Sequence, residues 1–182
     1  IEKKLSSDLT VLKPIYRAKK REYWFKSVDH SLVNEHEKKG WRVDIELKTK
    51  TKLIKDKPLS KIFEDEVWCQ FYNLGFQHMN LDETLELPFG KDHKDKKQID
   101  IIAIKEKIVV LVECKSSEKV KKAPSYKDEF DLLRLRLDGF RKTMAQVLGN
   151  KVRVKYIFAT KNLRLDTESV DFERFKKTRS FY

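Results

Sequence analysis

QIDIIAIKEKIVVLVECK, residues 98–115, consists of two apolar runs separated by Lys105, Glu106 and Lys107. Ile and Val occupy both side-chain parities of each run, a composition expected of central strands covered on both faces. If Glu106 and Lys107 form a two-residue hairpin loop, residues whose numbers sum to 213 face one another, and Asp100 stands opposite Glu113. Glu-Lys is not the preferred composition of a primed two-residue turn, so a different loop and register remain open. Directly opposed side chains have Cβ atoms about 4.5 to 5.5 Å apart, and like charges at that separation repel. Such a pair needs a proton or a cation between its members. Lys115, two residues beyond Glu113, projects on the same face.

Two carboxylates converging at the end of an apolar sheet form an oxygen-rich site suited to Mg2+, a hard ion that keeps several waters and accepts phosphate oxygens. A lysine beside them can orient a nucleophilic water or stabilise charge developing on a phosphate. Strand ends also carry exposed charges for no chemical reason. What sets these apart is that they interrupt otherwise apolar strands, where uncompensated burial is costly.

Working outward, residues 60–75 have a helical pattern, with Ser60 as the expected N-cap and Gly75 at the exit. Phe63, Val67, Phe71 and Leu74 mark one face, widened by Trp68. A wheel at about 100° per residue places Glu64 inside that sector and Asp65 and Glu66 outside it. LDETLELPFG reads as an edge strand ending at Pro88 and Gly90, and KDHKDKK as a polar loop. After Lys115, a Lys-rich loop is expected from Ser116 to Tyr126. Then come a helix carrying Leu133, Leu137, Phe140, Met144 and Val147, and a strand in KVRVKYIFAT. The expected order from Ser60 is helix, three strands, helix, strand. Ahead of it, residues 1–58 hold 16 Lys or Arg and 9 Asp or Glu, a basic arm or subdomain bounded by Pro58. Within it, WRVDIELKTKTKLI suggests a half-exposed strand.

The helix FEDEVWCQFYNLGF, followed by QIDIIAI and then VVLVECKSS, resembles the PD-(D/E)xK superfamily of restriction-endonuclease-like nucleases over residues of about 60–160. The resemblance implies an α/β fold with a mixed central sheet flanked by helices, occupying residues 59–182 here. It also implies Mg2+, with Mn2+ as a substitute, held by Asp100, Glu113 and a helical Glu64, and Lys115 assisting the attacking water. Ile99 stands where that family often has proline. VKYIFATKN adds a narrower similarity to the front nuclease domain of bacterial DGQHR-domain proteins, associated with DNA modification and phage defence; no DGQHR segment occurs in the chain. The implied activity is a metal-dependent deoxyribonuclease. Its alternative is an inactive DNA-binding or docking module of the same fold.

Forty-one basic against 29 acidic side chains, a net charge of +12, favour a polyanionic partner such as DNA. Lys119, Lys121, Lys122, Arg153 and Lys155 are the phosphate-contact candidates. No apolar run approaches the roughly 18 residues needed to span a bilayer, and no secretory leader opens the chain. A soluble, cytoplasmic protein is expected, as a fragment of a longer polypeptide that can dimerise. Cys69 and Cys114 lie in apolar patterns and read as buried thiols. His30, His36, His78 and His93 have no metal-ligand spacing, although His93 falls near the expected site. The five glycines form no nucleotide-binding loop.

Overall fold

The computed structural model describes residues 4–82, 85–89, 95–149 and 152–166. In chain order its elements are β1 (Leu5–Ser6), α1 (Leu9–Lys19), β2 (Tyr23–Val28), a short 3₁₀ turn (His30–Leu32), α2 (Val33–Glu37), β3 (Arg42–Glu46), β4 (Thr51–Asp56), α3 (Leu59–Asn73), β5 (His78–Asn80), β6 (Glu86–Pro88), β7 (Lys96–Gln98), β8 (Ile101–Lys105), β9 (Ile108–Lys122), α4 (Lys127–Leu148) and β10 (Arg153–Arg164). Gly90, His93 and residues 91–94 of the expected polar loop lie outside the described residues.

The apolar runs form adjacent antiparallel strands at the centre of a mixed sheet ordered β1-β5-β8-β9-β10. Ile101 faces Val112 and Lys105 faces Ile108, the register in which residue numbers sum to 213. The turn is made without glycine, and Glu106 takes a positive φ of 54°. β10 pairs with β9 in parallel, so the chain needs a crossover between them, and α4 supplies it. Ile102, Ile104, Val109 and Leu111 pack with Leu133, Leu137, Phe140 and Met144 of α4. On the other face, Ile101, Ala103, Val110, Val112 and Cys114 pack with Phe63, Val67 and Trp68 of α3. The architecture is therefore α/β, with helices on both faces of a mixed sheet.

α3 begins at Leu59 behind Pro58, and no side chain caps it, so the expected Ser60 cap is not formed. Its exit does follow the sequence. Gly75 has φ +74°, Gly75 N–H donates to Tyr72 O at 3.0 Å and Phe76 N–H to Phe71 O at 3.2 Å. The Phe71 and Phe76 rings meet edge-on at 5.0 Å across this reversal, which feeds directly into β5.

Three expectations are corrected. The stretch from Ser116 to Lys122 is strand rather than loop, because β10 extends far enough to pair with Lys121 and Lys122. Only residues 123–126 remain irregular. The edge strand expected in LDETLELPFG shrinks to β6, which pairs with β7 in a separate two-stranded sheet. Asp65, placed by the wheel outside the buried sector, is 1% exposed. α1 packs against that flank of α3, and Lys19 and Lys57 meet the Asp65 carboxylate at 2.6 and 2.7 Å.

The basic front section divides in two. β1 pairs with β5 in the central sheet, and Leu12 of α1 is buried in the α3-side core, so both cross the division expected at Pro58. β2, β4 and β3 form their own antiparallel sheet, where the expected single strand of WRVDIELKTKTKLI is a hairpin.

Candidate metal-assisted active site

Asp100 lies one step before β8, where the 213 register sets it opposite Glu113. The strands separate there, and the Asp100 carboxylate continues the ladder by accepting the Cys114 N–H at Oδ2, 2.7 Å away. Its backbone is pinned by Asn80, which is 2% exposed. Asn80 Nδ2 donates to Asp100 O at 3.1 Å and to Asp82 O at 2.9 Å, while Asn80 Oδ1 accepts the Ile102 N–H at 3.1 Å. Trp68 Nε1 in turn donates to Asn80 O at 3.0 Å. A chain of hydrogen bonds thus runs from the centre of α3 to the aspartate.

Glu113 and Lys115 share the α4 face of β9, as their spacing requires. Lys115 Nζ lies 2.8 Å from Glu113 Oε1. The second oxygen, Oε2, receives Lys97 Nζ at 2.9 Å and the Tyr156 hydroxyl at 3.2 Å. A cavity opens beside Glu113, lined in part by Lys97, Glu129, Phe130, Arg136, Tyr156 and Phe158. The cations that the opposed acids demand are here supplied by two lysines.

These contacts push the two carboxyls in opposite directions. Burial raises the Asp100 pKa, and the Glu113 charge adds to it against the opposing Cys114 N–H and the two lysines. Burial acts the same way on Glu113, but hydrogen bonds and charge from Lys115 and Lys97 overcome it and hold that carboxyl below its ordinary range. Burial alone would lower the Lys115 pKa, but its bond to Glu113 outweighs desolvation and raises it. Burial beside Asp100, Glu64 and Glu113 pushes the Cys114 thiol far up, so it stays protonated. Burial and the Glu113 charge also hold the Tyr156 hydroxyl in its neutral, donating form.

Glu64 lies on α3 with its Oε2 3.3 Å from Lys61 Nζ, and its charge, like those of Asp100 and Glu113, reaches Cys114. Among the described residues, no group of three or more His, Cys, Asp or Glu side chains is arranged to hold a metal ion. Asp100 and Glu113 by themselves fit Mg2+, which is commonly bound by one or two carboxylates together with waters and substrate phosphates.

The phosphate-contact candidates separate as well. Lys119, Lys121 and Lys122 are exposed on the outer part of β9, beyond Lys115, and Lys122 lies 3.8 Å from Asp166. Arg153 pairs with Ile108 at the turn end of the sheet, five positions before Phe158, the neighbour of Glu113. At about 3.3 Å per residue this puts Arg153 roughly 16 Å from the site along the strand, with Lys155 between them. Of the histidines, His30 Nδ1 bonds Thr51 Oγ1 at 2.8 Å and His36 Nδ1 bonds Lys26 Nζ at 2.7 Å, both in the front section.

Sequence reading alone does not single out Lys97, Tyr156 or Asn80. Tyr156 has a usable signal, since it alternates with Val154 on the buried face of its strand. Lys97 falls in a lysine-rich run and Asn80 in a strand of three residues, and neither carries a pattern. No helix of the described residues is long and apolar enough to cross a membrane. Set against protein-family models, curated protein sequences and solved structures, the chain gives no match.

Proposed function

We propose that the chain is a metal-dependent deoxyribonuclease domain of the restriction-endonuclease-like kind, hydrolysing a DNA phosphodiester bond at Asp100, Glu113 and Lys115. The observation that carries the reading is the β8–β9 register, which opposes two partly buried carboxylates of divergent pKa and adds a lysine 2.8 Å from one of them. Paired acids with pKa values driven apart are characteristic of functional sites. Asp100 and Glu113 would hold Mg2+ or Mn2+, which when bound polarises a phosphoryl oxygen and lowers the pKa of its water. Lys115 stays charged and close enough to stabilise the anionic phosphate as charge builds on it. Lys97 and Tyr156 fix the Glu113 rotamer, and Asn80 fixes the backbone that presents Asp100.

Cleavage of linear and circular DNA with and without Mg2+ tests this. Activity should require the metal and vanish in Asp100→Ala, Glu113→Ala and Lys115→Ala with unchanged circular dichroism. Undiminished cleavage in any of these variants would sink the reading. A second reading, a DNA-binding or docking module that does not cut, is favoured by the lysines on both Glu113 oxygens and by the absence of a third ligand among the described residues. Metal-independent DNA binding with no cleavage would support it.

A further inference from the structure

The β2-β4-β3 sheet has a more buried face and a more open one, although Val43, the partner of Leu53 on the more buried side, is itself 40% exposed. Leu53, Thr51 and Val28 are buried on the side of α2, whose His36 bonds Lys26, the partner of Leu53. The register assigns the other side: Phe25, Ile54 and Arg42 form one row across the sheet, Ser27, Lys52 and Ile45 the next, and Tyr23 faces Asp56. Tyr23 is 40% exposed, and Phe25 and Ile45 are each 47% exposed. The Arg21 guanidinium stacks over the Phe25 ring at 4.4 Å. The two aromatics are alternate residues of one strand, so they stand about 6.6 to 6.8 Å apart on the same face. Arg21, Arg42 and Lys52 surround them, with the Asp56 carboxylate bonded to Arg42 at 2.6 Å.

We infer that this open face is a stacking platform for single-stranded nucleic acid. Exposed rings can stack on bases only where the bases are not already stacked within a duplex, and surplus cations beside the rings match a phosphate backbone. The spacing of Tyr23 and Phe25 allows two neighbouring bases of an extended strand to lie on successive rings. Arg21 and Phe25 together offer two planes to a base, and the cations around them match a phosphate backbone rather than a neutral apolar surface.

The inference does not rest on the nuclease reading, and its test is made in EDTA, where metal-dependent cleavage plays no part. Fluorescence anisotropy is measured with labelled dT15, labelled rU15 and a DNA duplex of the same length. Wild type should bind at least one of the single strands. Tyr23→Ala/Phe25→Ala should weaken that binding at least tenfold, with duplex binding changed less than twofold, and Phe25→Leu, which keeps an apolar side chain but loses the ring, should weaken it several-fold. The same loss for single strand and duplex, or unchanged single-strand affinity in either variant, would overturn the inference. So would a concentration-dependent dimer that the double variant abolishes while single-strand affinity is retained, since the face would then serve a second copy of the chain. If the single-strand binding behaves as expected in EDTA but wild type supplied with Mg2+ cleaves no DNA, the nuclease reading falls alone.

Discussion

Replacing Asp65 with Asn should be the most damaging isosteric substitution in the α1–α3 junction. The Asp65 side chain is 2% exposed and lies 2.6 Å from Lys19, 2.7 Å from Lys57 and 3.3 Å from Lys61, whose own side chains are 13%, 3% and 9% exposed. Asn keeps the shape but removes the charge, and Lys57 is left with the Ala18 carbonyl at 3.1 Å as its neutral acceptor. Breaking a buried pair from one side costs about 3–5 kcal/mol, because the remaining charge is stranded. For a chain of this size each kcal/mol moves Tm by about 2–4 °C, so a fall of roughly 6–20 °C is expected. Burial raises the Asp65 pKa, but the lysines more than reverse this and hold it below 3.8 in the folded state. The stabilisation is therefore complete above pH 3.8 and erodes as pH falls through the folded value. Thermal melts by circular dichroism at pH 7 and at decreasing pH measure both effects, and the gap between wild type and Asp65→Asn should narrow in acid. A Tm within about 2 °C of wild type at pH 7 would refute the reasoning.

Asp100 has the opposite sign: its folded pKa is raised, so the ionised carboxyl costs stability above that value and nothing below 3.8. Asp100→Asn should raise Tm at pH 7 to 8 while leaving it unchanged near pH 3, which the same melts would show. Gly139→Ala should destabilise by about 1–3 kcal/mol, because its Cβ would come 2.1 Å from the Phe89 carbonyl oxygen where α4 crosses the end of β6; denaturant titration measures the loss. Asn80→Ala takes the Asn80 side chain from the Asp100 carbonyl and the Ile102 N–H, at about 1–3 kcal/mol for each group left unsatisfied, and should reduce cleavage beyond what the fraction unfolded explains.

The centre of the fold is legible in the sequence because two Ile- and Val-rich runs three residues apart read as adjacent central strands. Their register is not pinned by the apolar pattern, since both faces are buried and a slip of one would exchange apolar for apolar; the two-residue turn at Glu106 and Lys107 sets it. From that register come Asp100 opposite Glu113 and Lys115 beside it. α4 is equally plain, with Leu133, Leu137, Phe140 and Met144 buried along one stripe. What stays hidden depends on partners distant in sequence. Local patterning cannot extend β9, because Ser116 to Lys122 become strand only by pairing with Lys161 to Arg164, far along the chain. The helical wheel gives Glu64 the inward role because it measures apolar content, whereas Asp65 is buried by lysines, one of them 46 residues upstream. Lys97 reaches Glu113 from β7, whose three residues exist as a strand only by pairing with β6.

Anomalous scattering from a crystal grown with Mn2+ and a non-cleavable DNA analogue tests the central claim most directly. The account predicts a peak between Asp100 and Glu113, with at least one of Lys97 and Lys115 withdrawn from the Glu113 oxygens towards phosphate. DNA bound with no peak there, and with both lysines still on Glu113, would contradict it.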